Sequence, residues 1–237
     1  MEIEQIITAD GSHTLFLPEM DEHYHSVNGA IQEAKHVYIE AGLNQCRKDT
    51  IYVLEMGFGT GLNALLTALE AEKRKIKVVY TGLEKYPLSS EIIEKLNHSV
   101  IHPNFFHQIH SMKWGILKEI TPFFTLQKIQ TDFEDYIYPD KQDVIYYDAF
   151  APDKQPEVWS LELFEKLFCS MKSEGILTTY CAKGIIRRMM QQAGFSVERI
   201  PGPSGKREML RARKLHPKTC EEKSDNNKKE PNDYFLS

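Results

Sequence analysis

Apolar residues recur along the chain in two rhythms. Runs rich in Ile, Val, Leu, Phe and Tyr at 51–54, 76–83, 123–130, 143–147, 175–180, 195–200 and 207–212 predict β-strands. Between them, apolar residues three and four apart predict helices. Val27, Ala30, Ile31, Ala34, Val37, Tyr38 and Ala41 mark one over 26–43, closed by Gly42, and Leu62, Leu65, Leu66 and Leu69 mark the next. Further helices are expected at 89–97 (capped by Ser89 or Ser90 with Glu91 behind), at 160–171, and at 184–193, where Gly194 ends the helix. Residues 1–22 predict a small strand pair turning at Asp10-Gly11. Residues 98–121 carry no clear rhythm: His102-Pro103 breaks the chain there, and Trp114 is expected in a loop over the sheet.

Strands alternating with helices predict an α/β fold with a mostly parallel sheet. The short Pro/Gly loop between the last two strands makes the final one antiparallel, at or near a sheet edge. Three segments follow: an N-terminal extension over 1–45, a main domain over 46–213, and a polar tail over 214–237 whose composition predicts disorder. No internal repeat is present.

The 237 residues suffice for a real core, and 41% hydrophobic with 27% charged residues is the balance of a globular protein. No apolar run reaches the roughly 18–20 residues of a membrane span. The acidic, polar start is not expected to act as a secretory signal. Cys46, Cys169, Cys181 and Cys220 are far apart and form no CxxC, so neither a disulfide framework nor a zinc knuckle is expected, and a reducing cytoplasm is. No acid or cysteine completes ligand spacing around His23 and His25, or around His102, His107 and His110, so no metal is expected. Net charge is −5, yet 183–214 holds nine basic residues against Glu198 and Glu208 alone. Such a segment is either a phosphate-binding face or a solvated basic surface.

The sharpest local signal is Glu55-Met-Gly57-Phe-Gly59-Thr-Gly61, between a predicted strand and a predicted helix. Glycines there let backbone approach a ligand in front of a helix N-terminus. The spacing is GxGxG, not the dinucleotide GxGxxG, and Leu62 occupies the third dinucleotide position. Glu55 would repel a pyrophosphate and suits an ammonium or sulfonium group. Glu84, Asp132 and Asp148 end three further strands. Glu84 can accept both ribose hydroxyls, and Asp132 with Phe133 can bond and stack an adenine. Acids gathered at one sheet edge favour a ligand crevice over isolated turn residues.

The Gly loop, Glu84 and Thr131-Asp-Phe-Glu-Asp135 resemble the class I S-adenosylmethionine-dependent methyltransferases. Residues 22–43, 146–160 (with Asp148-Ala-Phe150-Ala-Pro152), 179–195 and 205–212 (GKREMLRA) look like the MnmC methyltransferase domain and its stand-alone MnmD relatives. The resemblance covers about residues 10–213. It implies a Rossmann-like methyltransferase fold with helices on both faces, and S-adenosylmethionine bound by Glu55, Gly57, Gly59, Gly61, Asn63, Glu84, Asp132 and Phe133. It further implies methylation of the 5-aminomethyl group of (2-thio)uridine at the tRNA wobble position, after a separate enzyme supplies that amine.

Under this resemblance Asp148 is the candidate catalytic residue, holding the acceptor ammonium and taking its proton, or else only orienting it. Tyr24, Phe150 and Trp159 are candidate stacking partners for a flipped-out uracil. Lys183, Arg187, Arg188, Lys206 and Arg207 are candidate tRNA phosphate contacts. Two alternatives stand beside this reading: a small-molecule amine methyl- or aminopropyltransferase, and a non-catalytic nucleotide- or RNA-binding module of the same fold.

Overall fold

A computed structural model of the chain describes residues 3–139 and 141–215. Its centre is an eight-stranded sheet. The strands are β4 (Thr50–Met56), β5 (Lys77–Glu84), β6 (Leu117–Thr121), β7 (Phe124–Gln130), β8 (Gln142–Tyr147), β9 (Met171–Thr179), β10 (Ser196–Pro201) and β11 (Glu208–Arg213), in the order β10-β11-β9-β8-β4-β5-β7-β6. The five strands from β9 to β7 run parallel. β11 is antiparallel to both β9 and β10, one place in from an edge. The opposite edge carries β6, antiparallel to β7, which the sequence pattern did not reveal. Its exposed residues lack the apolar face that makes a strand legible.

The chain crosses from β4 through α2 (Leu62–Arg74) to β5, and from β8 through α5 (Leu161–Ser170) to β9. Helix α6 (Gly184–Ala193) then leads to β10, ending on Gly194 at φ 120°, a left-handed cap suited to glycine. Alternation along each strand divides the core between the two sheet faces. Ile51, Val53, Tyr80 and Tyr146 pack beneath α2 and the N-terminal helix; Leu54, Met56, Ile145 and Tyr147 pack beneath α5 and α6. Glu55 and Asp148 share the parity of Val53 and Tyr146, which aims both carboxylates at the α2 face.

Residues 98–121, which carry no clear rhythm in the sequence, hold a helix and a strand. Pro103 opens α4 (Pro103–Ser111) at its first position, and the His102 side chain accepts a hydrogen bond from the Phe105 N–H. A proline that breaks one element is well placed to begin the next. Helix α3 (Ser90–Lys95) is shorter than its pattern predicts; Ser89 stands at its cap without a side-chain bond.

The N-terminal extension forms a second sheet, β1 (Glu4–Ile7), β2 (His13–Leu17) and β3 (Glu22–His23), followed by α1 (Ala30–Ala34), which continues as π-helix over Lys35–Glu40. Leu15, Ala30, Val37 and Tyr38 join the main core cluster, so the extension is built onto the sheet domain. At the other end, Lys214 belongs to the sheet: it is buried, and its Nζ donates to Met171 O at 2.7 Å. The tail read as disordered lies, from 216 on, outside the described residues. Cys46 and Cys181 are buried free thiols, whereas Cys169 is disulfide-bonded. Spacing alone does not reveal a single bridge of that kind. No helix among the described residues is long and apolar enough to cross a membrane.

Candidate functional site

The carboxyl ends of β4, β5, β7, β8 and β9 open onto a cavity of about 320 Å³, roofed by the segment from Glu22 to Val27. Such a crevice at the strand ends of an open parallel sheet is the usual ligand position. Its rim begins with the glycine loop after β4. Gly57, Gly59 and Gly61 have φ of 96°, 49° and 70°, all in the left-handed region. Crowding adds to the conformational demand: a Cβ on Gly57 would lie 2.5 Å from Asp148 O, and one on Gly61 would lie 2.9 Å from the His110 ring. Gly57 and Gly59 stand in the wall.

Glu84, at the end of β5, faces the cavity and ties the loop in place. Its Oε2 accepts from Gly59 N at 3.0 Å and its Oε1 from Tyr86 N at 2.9 Å. Burial raises its pKa against those bonds. Phe133 lines the same end. Asp132 does not stand in the wall: its Oδ2 is held by Lys85 Nζ at 2.5 Å, which lowers its pKa. Lys85 itself lines the cavity.

The far end is built around Asp148. Tyr38, on the π-helical turn of the extension, donates its hydroxyl to Asp148 Oδ1 at 2.6 Å. Asn63 Nδ2 donates to Asp148 Oδ2 at 2.8 Å and to Glu55 Oε1 at 2.9 Å. Burial nonetheless pushes the Asp148 carboxyl up to about 7. Two accepted bonds leave lone pairs on both oxygens for a further donor. Beside it, Lys206 from the β10–β11 loop lies 2.7 Å from Glu33 Oε1 and 4.0 Å from the centroid of the Tyr180 ring, whose hydroxyl donates to Ala149 O. Tyr24 meets Phe150 edge to face at 5.1 Å, both in the wall. His25 Nε2 and Thr60 Oγ1 are hydrogen-bonded at 2.8 Å, clamping the roof to the glycine loop. Four acids (Glu22, Glu33, Glu84 and Asp148) against two lysines give this cavity a cation-favouring interior.

Several sequence expectations are corrected. Glu55 is fully buried beneath the loop, its Oε2 without a partner, and burial raises its pKa well above the carboxylate range. It stands under the cavity and not in its wall, as do Asn63 and Gly61. Trp159 is 3% exposed in the other core, its Nε1 donating to Phe150 O at 2.8 Å; it positions Phe150 and offers no stacking face. The five basic candidates are not one face. Lys206 points into the cavity, Lys183 pairs with Asp153, Arg187 buries an unpartnered Nε, and Arg188 and Arg207 are exposed. Elsewhere in the basic segment Arg199 pairs with Glu208, and Arg211 and Arg213 with Glu198. Sequence reasoning missed Tyr38, Tyr180 and Glu33 as site residues. The first two looked like core positions, and only the fold brings Glu33 to Lys206.

Residues 123–215 match the family model of an S-adenosyl-L-methionine-dependent methyltransferase. The tRNA 5-methylaminomethyl-2-thiouridine biosynthesis bifunctional protein MnmC of Burkholderia multivorans is 26% identical over 221 residues, 83% of this chain and 33% of the relative. The protein of that name from Leptospira interrogans is 29% identical over 215 residues, 81% of this chain and 32% of the relative. The chain thus spans about a third of the length of these relatives. Among solved structures, MNMC2 from Aquifex aeolicus superposes with a TM-score of 0.73 at 25% identity, covering 91% of this chain and 72% of that one. Spermidine synthase from Thermotoga maritima, at 12% identity and a TM-score of 0.57 over 89% of this chain and 67% of that one, shares the fold. The glycine loop, the acid at the end of the next strand and these likenesses agree: the chain is similar to an S-adenosyl-L-methionine-dependent methyltransferase family over residues 123–215 and, over most of its length, to part of the MnmC proteins and to the solved MNMC2 structure.

Proposed function

We propose that the protein methylates the primary amine of a 5-aminomethyl(2-thio)uridine at the wobble position of tRNA, in the cytoplasm, after another enzyme has installed that amine. The observation that carries this reading is Asp148: a half-buried carboxylate with free lone pairs, in a cation-favouring cavity beside the aromatic pair Tyr24 and Phe150. The names of the MnmC relatives support the substrate.

S-adenosylmethionine fits the residues present. Gly57 and Gly59 bring bare backbone to the cavity wall, Glu84 offers a carboxylate for ribose hydroxyls, and Phe133 offers a flat apolar wall for adenine. When bound, the cofactor supplies an electrophilic methyl group on a sulfonium sulfur. The acceptor arrives mostly as an ammonium and must be neutral to attack. Asp148 accepts the ammonium as a hydrogen-bond donor, takes its proton and aligns the freed lone pair. Tyr38 and Asn63 fix the carboxylate in one rotamer, and Tyr24 and Phe150 hold the base and exclude water. On transfer the N–C bond would form as the S–C bond breaks; the product would leave as a secondary ammonium, and Asp148 would return the proton it took to solvent.

The test is incubation with labelled S-adenosylmethionine and tRNA bearing 5-aminomethyluridine, followed by nucleoside mass spectrometry. One methyl group on the wobble nucleoside is expected. Methylation of free polyamines with none on tRNA would install the small-molecule reading, and cofactor binding without turnover the binding-module reading.

A further inference from the structure

A second cavity, of about 530 Å³, lies behind the cofactor site, walled by α3, α4, the segment leading to Trp114, the glycine loop and β7. Phe58 and Gly59 stand in the walls of both cavities. The inward positions of β7 are Phe124, Leu126 and then Lys128. Lys128 is 2% exposed, and its Nζ donates to His110 O at 3.3 Å. The same Nζ lies 5.1 Å from the Trp114 ring centroid and 5.8 Å from that of Phe58. No carboxylate among the described residues pairs with it, and burial pulls its ammonium down to about 8. His110 Nε2, lining the same space, is buried without a hydrogen-bond partner. The acid in this wall, Glu94, is on the exposed side of α3.

A buried lysine without a counter-charge costs stability, and a methionine of similar length would continue the apolar face of β7 at no such cost. An anion at Nζ offsets that cost, and the indole of Trp114 with the ring of Phe58 offers flat apolar surface for its body. We propose that this cavity is a binding site for a small aromatic monoanion, its carboxylate seated on Lys128 and its ring against Trp114. This site is separate from the methyl-transfer cavity and does not depend on the substrate assigned there.

The experiment titrates the whole protein with 1-naphthoate and with its neutral analogue 1-naphthamide, following Trp114 fluorescence, with Trp114→Phe as the control that assigns the signal. Naphthoate is expected to bind at least about tenfold more tightly than naphthamide. Lys128→Met should abolish that preference, and Lys128→Arg should retain part of it. Lys128→Met should also melt at a higher temperature, and its S-adenosylmethionine affinity should stay within about twofold of wild type. Equal affinities of the two probes for the wild-type protein, or no saturable signal, would overturn the proposal without recourse to any variant. So would a folded Lys128→Met that keeps the preference.

Discussion

Asp148 carries opposite demands at the scale of one residue. Tyr38 and Asn63 favour its charged form, while burial opposes it more strongly and sets its pKa at about 7. Only the ionised carboxylate accepts a proton, so kcat/KM for the amine should rise as pH passes through about 7. Asp148→Asn should flatten that profile and lower turnover by ~10²–10⁴-fold, with S-adenosylmethionine affinity nearly unchanged. The sign for stability is reversed. A carboxyl whose folded pKa is raised contributes fully below its unfolded value of 3.8 and loses that contribution as pH rises through about 7. Asp148→Asn should therefore melt above wild type at pH 8, the gap closing toward pH 4; thermal scans at the two values check this. At the other end of the cavity, Glu84→Ala should weaken S-adenosylmethionine binding by about 1–3 kcal/mol, because a carboxylate assigned to ribose hydroxyls is lost and the Gly59 N–H is left unpaired. Calorimetric titration at matched pH reads that change.

At the scale of the element, the strand–loop–helix unit from β4 to α2 combines steric and conformational constraints. Gly57 at φ 96° would place a Cβ 2.5 Å from the backbone oxygen of Asp148, whereas Gly115 at φ 79° has open space around its Cβ position. Gly115→Ala therefore meets only the conformational cost, of order 1 kcal/mol. Gly57→Ala adds a collision with backbone that cannot move without displacing Asp148, so its total should exceed that of Gly115→Ala by about 1–3 kcal/mol. Melting temperatures of the two variants, at roughly 2–4 °C per kcal/mol for a chain of this size, separate these contributions. Parity along the strands also decides roles. Glu55 was readable as an acid near the glycine loop, but the alternation of Ile51, Val53 and Glu55 already directs it toward α2 and away from the crevice. His102 and Pro103 were readable as a break and are a helix start, because a proline that ends one element serves equally well at the first position of the next.

For the whole molecule, two of the nine basic residues of 183–214 meet acids from outside that segment, and three more pair with acids inside it. Lys206 meets Glu33 across 173 positions of sequence, and Lys183 meets Asp153. Exposed arginines such as Arg188 and Arg207 remain for phosphate. Each phosphate contact contributes roughly 0.7–0.9 to the slope of log affinity against log salt. Arg188→Glu with Arg207→Glu should lower tRNA affinity and reduce that slope by about two contacts, with melting temperature and S-adenosylmethionine affinity close to wild type. Filter binding across a salt series, run beside a thermal scan, measures both. Lys206→Ala belongs to a different class: it opens the pair with Glu33 beside Asp148 and should depress turnover more than it changes the salt slope.

What the sequence by itself determined was the order of the strands and helices other than β6 and α4, the parallel sheet with its antiparallel strand, the glycine loop, and the acids at the strand ends. These are local signals: periodicity reports which face is buried, and glycine spacing reports where backbone must turn or approach. The tertiary structure decided which acids reach the cavity and what each one touches. Tyr38 reaches Asp148 over 110 positions, Asn63 ties Glu55 to Asp148 from the first turn of α2, and Lys206 turns inward to Glu33. Burial then moves the Asp148 carboxyl to about 7 and the Lys128 ammonium to about 8. A pKa is set by the charges, dipoles and excluded water around a group, and those neighbours are distant in sequence until the sheet closes around them.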